Sequence, residues 1–252
     1  MSETYADVDG AEDVAGAVAW QERVDGWPAV LAYKEVARRR VAGLAPVLDV
    51  GCGPGLDVLA AGPGTRAVGV DRSAAMAATA RRRGATVAVA DAARLPFPAG
   101  AFGAARADRV LQHLAAPEAA LAELVRVTRP GGAVVVADPD QGSLVVEVPG
   151  APPALVERVV AGRRDRGYRN GTLARRLPAL LGAAGLADVT VDAVALVLTD
   201  PADAFGLRSW PRLWGWADHD VAAWEAAVDG AAGRGFVYAV TYLVVAGRRP
   251  VR

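Results

Sequence analysis

A glycine-rich turn directly after a short apolar run is the feature that most constrains the fold of this chain. Residues 47–50 are apolar except for Asp49, and glycines follow at positions 51, 53 and 55. Glycine has no Cβ and adopts positive φ without strain, so a ligand can lie directly against this backbone. The helix that the turn opens has free N–H groups for a polar ligand. The pattern predicts a strand, a nucleotide-binding turn and a helix, with an ordinary glycine-rich turn as the alternative.

A second carboxylate follows the next apolar run, which covers residues 66–70. Asp71 lies roughly twenty residues after the glycines, where an acidic residue accepts hydrogen bonds from the two hydroxyls of a ribose. Ser73 is placed as the N-cap of an alanine-rich helix over residues 74–83. Position 56 is Leu56, so the third glycine of the dinucleotide fingerprint is missing, which disfavours a nicotinamide or flavin cofactor.

Four stretches of the chain resemble, in order and spacing, the motifs of the class I S-adenosylmethionine-dependent methyltransferases. The stretches are Leu48 to Gly55, Val70 to Ser73 with Met76, Asp91 to Pro98, and Asp108 to Pro117 followed by Leu121 to Asp138 with its Arg129-Pro130-Gly131-Gly132 segment. The resemblance spans about positions 45 to 140 and implies S-adenosyl-L-methionine as the cofactor. Within the superfamily the chain resembles the small-molecule branch, which includes quinone-biosynthesis and bacterial natural-product methyltransferases.

The resemblance implies a role for each motif in holding the cofactor. The glycine turn would receive the amino-acid tail, with Asp49 near its ammonium group, and Asp71 would bind the ribose. Met76 would cover one face of the adenine, and Asp91 with the Ala92 N–H would bind its edge. The expected cofactor-binding residues are Asp49, Gly51, Cys52, Gly53, Gly55, Asp71, Arg72, Met76, Asp91, Ala92 and Ala107.

His113 is the expected catalytic residue because it follows the fourth predicted strand, near the methyl group in related folds. A neutral imidazole accepts a proton near physiological pH, so His113 is predicted to take a proton from the acceptor or to position it. A packing histidine is the alternative. The second histidine, His219, is expected to be an exposed residue at a helix start.

No metal site is predicted. The chain has two histidines and no Cys-x-x-Cys pair. Asp138 and Asp140, after the fifth predicted strand, are the residues that could ligate magnesium, but the companion acidic and amide residues are not evident.

The hydrophobic pattern predicts a single α/β domain with a doubly wound, Rossmann-like sheet and a helical lid. Short apolar runs separated by helical stretches are typical of parallel strands. The resemblance implies that the last strand is antiparallel. Seven strands are expected near residues 47–50, 66–70, 85–90, 102–107, 132–137, 188–198 and 236–246. Residues 1–44 are predicted as an N-terminal lid segment, and residues 45–252 as the core with lid insertions near 140–180 and 200–232.

The tryptophans lie outside this predicted core. Trp210 and Trp214 are four residues apart and would share a helix face. With Trp20, Trp27 and Tyr168 they would either line an apolar substrate pocket or supply ordinary core or dimer packing.

Composition limits the function classes. Twenty-eight acidic residues balance 28 basic ones, which argues against a broad nucleic-acid surface. Cys52 is the only cysteine, no long apolar segment predicts a membrane span, and residues 1–10 lack a signal-peptide core. We expect a cytoplasmic bacterial protein, a monomer or homodimer, whose partner is a small molecule.

The sequence therefore favours methyl transfer from S-adenosylmethionine to a hydrophobic small molecule, a natural-product-like or quinone-like acceptor. One rival is a cyclase, isomerase or decarboxylase that keeps the cofactor on the same fold. A second rival is a partner subunit that binds the cofactor without turnover.

Overall fold

The computed structural model describes residues 14–61 and 65–251, and its centre is a seven-stranded mixed sheet. The strands are β1 (Val47–Val50), β2 (Ala67–Asp71), β3 (Val87–Val89), β4 (Phe102–Asp108), β5 (Thr128–Glu147), β6 (Ala187–Leu198) and β7 (Val237–Arg248). Their order in the sheet is β3-β2-β1-β4-β5-β7-β6. The predicted doubly wound sheet is confirmed, and all seven strands overlap their predicted positions.

Strands β1 to β5 are parallel, whereas β7 is antiparallel to both of its neighbours, β5 and β6. The expectation of a final antiparallel strand beside its neighbour is therefore confirmed. Because β1, β2 and β4 are parallel, their carboxyl ends meet at one edge of the sheet, where ligands bind in open α/β folds.

Strand β5 continues ten residues beyond its predicted end near 137. The prediction that a lid insertion begins near 140 was wrong for residues 140–147. After a register shift, Val145 to Glu147 pair with Val237 to Ala239 of β7. Leu144 and Val146 are buried while Val145 and Glu147 are exposed, which is the two-residue period of a strand. Gly142 and Ser143 interrupt the apolar pattern in the sequence, so this part of the strand was not predicted.

The helices of the described residues cover both faces of the sheet. They are α1 (Val14–Asp25), α2 (Pro28–Val41), α3 (Leu56–Ala60), α4 (Ala74–Arg82), α5 (Pro117–Val127), α6 (Pro153–Arg166), α7 (Leu177–Ala183), α8 (Trp210–Leu213) and α9 (Asp218–Asp229). Four 3-10 turns lie at Leu111–His113, Ala174–Arg176, Pro201–Asp203 and Leu207–Ser209. No described helix is long and apolar enough to cross a membrane.

Two large apolar clusters form the core, one on each face of the sheet. Side chains of successive strand residues alternate between the clusters, as Val134 and Val135 of β5 do. One cluster packs β5 and β7 against α1, α2, α6, α8 and α9, and the other packs β1 and β4 against α5 and α7.

Local signals set the helix starts that border the site. Ser73 caps α4 by accepting a hydrogen bond from the Met76 N–H at 3.1 Å, as predicted. Pro28 opens α2, a position where proline is favoured because its fixed φ suits the first turn of a helix. The predicted N-terminal lid segment is described from residue 14, so its first thirteen residues, including the acidic stretch 1–10, lie outside the described residues.

Candidate active site

A cavity of about 730 Å³ opens at the carboxyl ends of the parallel strands, a volume within the range of small-molecule sites. Two parts of its lining differ in chemistry, and we name them the glycine wall and the aromatic wall. The glycine wall consists of Gly51, Cys52, Gly53, Asp71, Arg72, Met76, Asp91 and Ala92. The aromatic wall consists of Trp20, His113, Tyr168, Phe205, Tyr238 and Tyr242.

The glycine turn approaches its surroundings too closely for larger residues. Gly51 has φ +71°, and a Cβ there would lie 2.4 Å from Val110 Cγ2. Gly53 has φ +53°, and a Cβ there would lie 2.7 Å from Gln21 Oε1 of α1. Helix α1 therefore lies over the turn, and its Gln21 and Trp20 face the same cavity.

Asp71 ties the end of β2 to the glycine turn. Its Oδ2 accepts a hydrogen bond from the Gly53 N–H at 2.8 Å, and its Oδ1 accepts one from the Ser73 N–H at 2.9 Å. These amides hold the carboxylate in place at the cavity lining. A carboxylate is also the type of group that accepts hydrogen bonds from the hydroxyls of a diol.

The other expected glycine-wall residues lie along the same cavity. Met76 is 1% exposed and packs against Ala17 and Val18 of α1. Asp91 is exposed and accepts a hydrogen bond from the Ala93 N–H at 2.8 Å, which orders the turn after β3. Arg72 and Ala92 also line the cavity.

Two expected cofactor residues do not line the cavity. Gly55 faces α4 instead: a Cβ there would lie 2.8 Å from the Ala80 Cβ and 3.0 Å from the Ala85 Cβ. Its hydrogen atom permits close packing between the turn and α4. Ala107 is buried within β4 between β1 and β5, and the next two residues, Asp108 and Arg109, line the cavity in its place.

Asp49 lines the cavity and forms an ion pair with Arg106. Arg106 Nε lies 3.0 Å from Asp49 Oδ1, and Arg106 Nη2 lies 3.2 Å from Oδ2. Burial raises the pKa of Asp49, and the Arg106 guanidinium opposes that shift. Asp49 is thus positioned by Arg106 on the neighbouring strand β4, a partner that the sequence analysis did not identify.

A buried ionic cluster lies beside the glycine turn, centred on Lys34 of α2. The Lys34 Nζ lies 2.6 Å from Asp25 Oδ2, 2.6 Å from Asp57 Oδ2 and 3.5 Å from Asp108 Oδ2. Arg106 Nη2 also contacts Asp57, at 2.9 Å. Burial disfavours the charged form of Lys34, yet the three carboxylates around Lys34 raise its pKa above the usual value.

The same cluster holds Asp57 in its charged form. Arg106 and Lys34 overcome the effect of burial and hold the pKa of Asp57 well below its usual range. Asp25 also binds the Arg109 Nη2, at 2.5 Å, and the Tyr33 hydroxyl donates to Asp108 at 3.0 Å. Lys34, Asp25, Asp57, Asp108 and Arg109 all line the cavity.

His113 lies on the aromatic wall, in the 3-10 turn after β4. Its ring meets that of Tyr168 edge-on, with centroids 5.3 Å apart. Burial, with the nearby Arg163 and Arg109 charges, lowers the pKa of His113 to about 4. The imidazole is therefore neutral at pH 7 but a much weaker base than the sequence analysis assumed.

The aromatic residues divide into cavity lining and supporting packing. Trp20 and Tyr168 line the cavity, whereas Trp27, Trp210 and Trp214 do not. Trp27 supports the wall from behind, with its ring centroid 5.9 Å from Trp20 and 5.6 Å from Phe205. Phe205 itself has φ +51°, an uncommon backbone conformation for a bulky residue. The aromatic set therefore divides into two residues that line the cavity and three that pack elsewhere, and a role in binding a substrate stays a prediction for Trp20 and Tyr168.

Neither acidic residue considered for magnesium is placed to bind it. Asp140 accepts hydrogen bonds from Arg175, with Nη2 to Oδ2 at 2.7 Å. Asp138 is fully buried, and burial with the Asp108 charge raises its pKa well above the usual value. Within residues 14–61 and 65–251, no three His, Cys, Asp or Glu side chains are grouped to hold a metal ion. His219 is 83% exposed at the start of α9, as predicted.

Several residues of the cavity and of the ionic cluster beside it were not predicted from the sequence, although two of them left a signal there. Lys34 is the only lysine of the chain, and Arg106 interrupts an apolar strand, where a charge requires a partner. The remainder come from distant segments and carry no local signal: Gln21, Asp25, Asp57, Arg109, Arg163, Phe205, Tyr238 and Tyr242.

Comparison with known proteins places a recognised domain on the glycine wall. Residues 48–136 match the family model described as "Methyltransferase domain". The crystal structure of protein BH2331 from Bacillus halodurans, described as a candidate methyltransferase, superposes with a TM-score of 0.60. It is 16% identical and covers 86% of this chain and 98% of its own, a likeness that concerns the fold.

Two curated relatives are more similar in sequence. A 37.1 kDa protein encoded in a transposon of Streptomyces fradiae is 40% identical over 163 residues, covering 61% of this chain and 46% of the relative. The demethylmenaquinone methyltransferase of Mycolicibacterium vanbaalenii is 37% identical over 106 residues, covering 40% of this chain and 46% of the relative. The chain thus spans about half the length of these relatives.

Proposed function

We propose that this chain, in which residues 48–136 match a methyltransferase domain, is a class I S-adenosylmethionine-dependent methyltransferase that transfers a methyl group from S-adenosyl-L-methionine to a hydrophobic small molecule. The observation that carries this proposal is that two unlike walls, the glycine wall and the aromatic wall, line one cavity. The glycine wall suits the polar cofactor, and the aromatic wall suits an apolar acceptor.

The residues of the glycine wall fit this cofactor. Gly51 and Gly53 expose main chain where a Cβ would fill the space, and Asp71 is held at the strand end by two amides. In this assignment Asp71 binds the ribose hydroxyls, Met76 and Asp91 hold the adenine, and Cys52 and Arg72 complete the lining. Asp49, Asp108 and Lys34 supply charges for the zwitterionic tail. When bound, the cofactor supplies an electrophilic methyl group on a sulfonium.

The protein's contribution to transfer is then position and the exclusion of water. The aromatic wall orients the acceptor, and His113 presents a neutral imidazole that can accept or share a hydrogen bond from it. With a pKa of about 4, His113 suits orientation better than general-base catalysis at neutral pH. An acceptor that ionises readily, or carries an acidic C–H, needs no stronger base.

The acceptor is drawn from the hydrophobic class, and a demethylmenaquinone methyltransferase among the relatives fits that choice. The aromatic wall comes largely from residues before 48 and after 136, outside the matched domain. The match to the methyltransferase domain therefore does not determine which acceptor this chain binds. We further propose that residues 14–44 and the insertions near 148–180 and 200–232 form the lid. We also propose that the protein is bacterial, cytoplasmic and active in natural-product biosynthesis.

The test measures cofactor binding and turnover separately. Calorimetry with S-adenosylhomocysteine reports on the glycine wall, and release of S-adenosylhomocysteine from S-adenosylmethionine, across a panel of quinones, phenols and polyketides, reports on transfer. We expect binding, and acceptor-dependent release with one equivalent of methylated product. Product formed without S-adenosylhomocysteine would replace methyl transfer by a cyclase-type reaction, and absence of binding would refute the proposal.

A further inference from the structure

Arg163 is a buried cation on the cavity lining that the proposed chemistry leaves unused. It lies on α6 and is 4% exposed. Its guanidinium carbon lies 4.3 Å from the centroid of the Tyr168 ring and 4.2 Å from that of Trp210. Two aromatic faces therefore hold the guanidinium plane in one place.

No carboxylate of the described residues forms an ion pair with Arg163. Its Nη2 donates to the Tyr168 hydroxyl at 2.5 Å, and its Nε has no hydrogen-bond partner although it is buried. The other buried cations of the cavity differ: Lys34 and Arg109 both contact Asp25. A buried cation without an anion is costly, so its retention at a cavity lining indicates that the anion comes with a ligand.

The neighbouring groups add donors of the same kind. The Tyr168 oxygen accepts from Arg163, which leaves the Tyr168 proton available to donate. Burial raises the pKa of Tyr238, so its hydroxyl on the same wall also stays protonated. Arg169 lies exposed on the lining and adds a second positive charge without an ion pair among the described residues. Planar guanidinium donors match carboxylate and phosphate oxygens.

We propose that Arg163 and Tyr168 bind an anionic group of the acceptor, so that the substrate is an amphiphilic carboxylate or phosphate. Its apolar body packs on Trp20, Phe205 and Val240, and its anion ends at Arg163. This inference rests on the proposed function, because it names the substrate class of the same cavity.

The experiment compares three ligands that share one apolar chain: decanoate, decyl phosphate and decanol. Calorimetry is run on the wild-type chain, Arg163→Met and Arg158→Met. Arg158 is the matched control because it is on the same helix and lies 4.1 Å over the Trp216 ring, but is half-exposed and paired with Asp220 at 2.7 Å. We expect at least one anion to bind about tenfold tighter than decanol to the wild type and to Arg158→Met, a difference of about 1.4 kcal/mol. Arg163→Met should lose that preference.

The two anions separate the sources of the charge, since a preference for decanoate indicates a carboxylic acid and one for decyl phosphate indicates a phosphate ester. Equal binding of all three ligands to the wild-type chain overturns the proposal without any variant. So does an undiminished preference in Arg163→Met. The melting temperature gives a second test. Arg163→Met should melt at or above the melting temperature of the wild type, whereas a cation with a purely structural role predicts that the variant melts at a lower temperature. S-adenosylhomocysteine binding, measured in parallel, fails only if the cofactor assignment fails.

Discussion

Replacing Lys34 with methionine tests the buried ionic cluster, because this side chain contacts three carboxylates at once. Methionine keeps the length of the side chain and removes the charge. Breaking a buried ion pair from one side costs about 3–5 kcal/mol. Each carboxylate keeps another donor: Asp57 has Arg106, Asp25 has Arg109, and Asp108 has the Tyr33 hydroxyl. We therefore expect a loss near the lower end, about 3 kcal/mol.

Urea denaturation at pH 7 measures this loss directly, and thermal melting should show a decrease of about 6–12 °C, taking about 2–4 °C per kcal/mol for a chain of this size. The matched control is Arg39→Met on the same helix, whose partner Glu35 lies 3.4 Å away and whose side chain is 63% exposed. An exposed pair contributes about 0–1 kcal/mol. Equal losses in the two variants would refute the reasoning that burial gives the cluster its strength.

The cluster also predicts how stability depends on pH. The folded-state pKa of Asp57 is below its unfolded value, so the unfolded chain binds more protons in acid. Its contribution to stability is present above a pH of about 4 and is lost as pH falls toward the folded-state value. Lys34→Met removes one of the cations that lower this pKa. The decrease in unfolding free energy between about pH 5 and pH 3 should be smaller in the variant than in the wild type.

The remaining predictions concern the cofactor and acceptor residues. Asp71→Ala should weaken S-adenosylhomocysteine binding tenfold to a hundredfold, or about 1.5–3 kcal/mol, because the ribose loses its acceptor; unchanged calorimetric affinity in a folded variant would remove Asp71 from the site. Gly53→Val should abolish S-adenosylhomocysteine binding while the sheet survives, since the new Cβ displaces only the flexible end of the Gln21 side chain. The control is Gly43→Val, because Gly43 also has a positive φ, +74°, but open surroundings; this variant carries similar backbone strain and should bind S-adenosylhomocysteine normally. For His113 we expect an NMR titration midpoint near 4, and the variant His113→Gln should retain most turnover, whereas a true general base predicts a loss of about 10²–10⁴. Because the unfolded histidine takes up its proton at a higher pH than the folded one, the wild type should lose stability from about pH 6.5 down to pH 4, and His113→Gln should lose less there.

Sequence reasoning predicted the backbone correctly where one short segment specifies it. The turn after β1 and the acidic end of β2 are each specified by a few adjacent residues, and the fold brings the two together, with the Gly53 N–H donating to Asp71 at 2.8 Å. It failed where partners come from distant segments. Nothing near Asp49 indicates that Arg106, 57 residues away, holds it. Arg163 likewise reads as one of several arginines near the end of a helix, and only the fold places it between Tyr168 and Trp210.

The glycines of one motif serve two different purposes, lining the cavity and packing against a helix, and their spacing in the sequence does not show which glycine serves which. Gly53 is a lining residue, whereas Gly55 packs against α4 at Ala80 and Ala85. Gly55→Ala should therefore lower stability by about 2–4 kcal/mol, from left-handed backbone strain of about 1–2 kcal/mol and overpacking of about 1–3 kcal/mol. Gly84→Ala, with φ +92° and nothing within 4 Å, isolates the strain alone and should lose about 1–2 kcal/mol. Urea denaturation measures both losses, and calorimetry should find S-adenosylhomocysteine affinity unchanged in folded Gly55→Ala. A variant with normal stability and weakened cofactor binding would contradict this assignment and return Gly55 to the cofactor site.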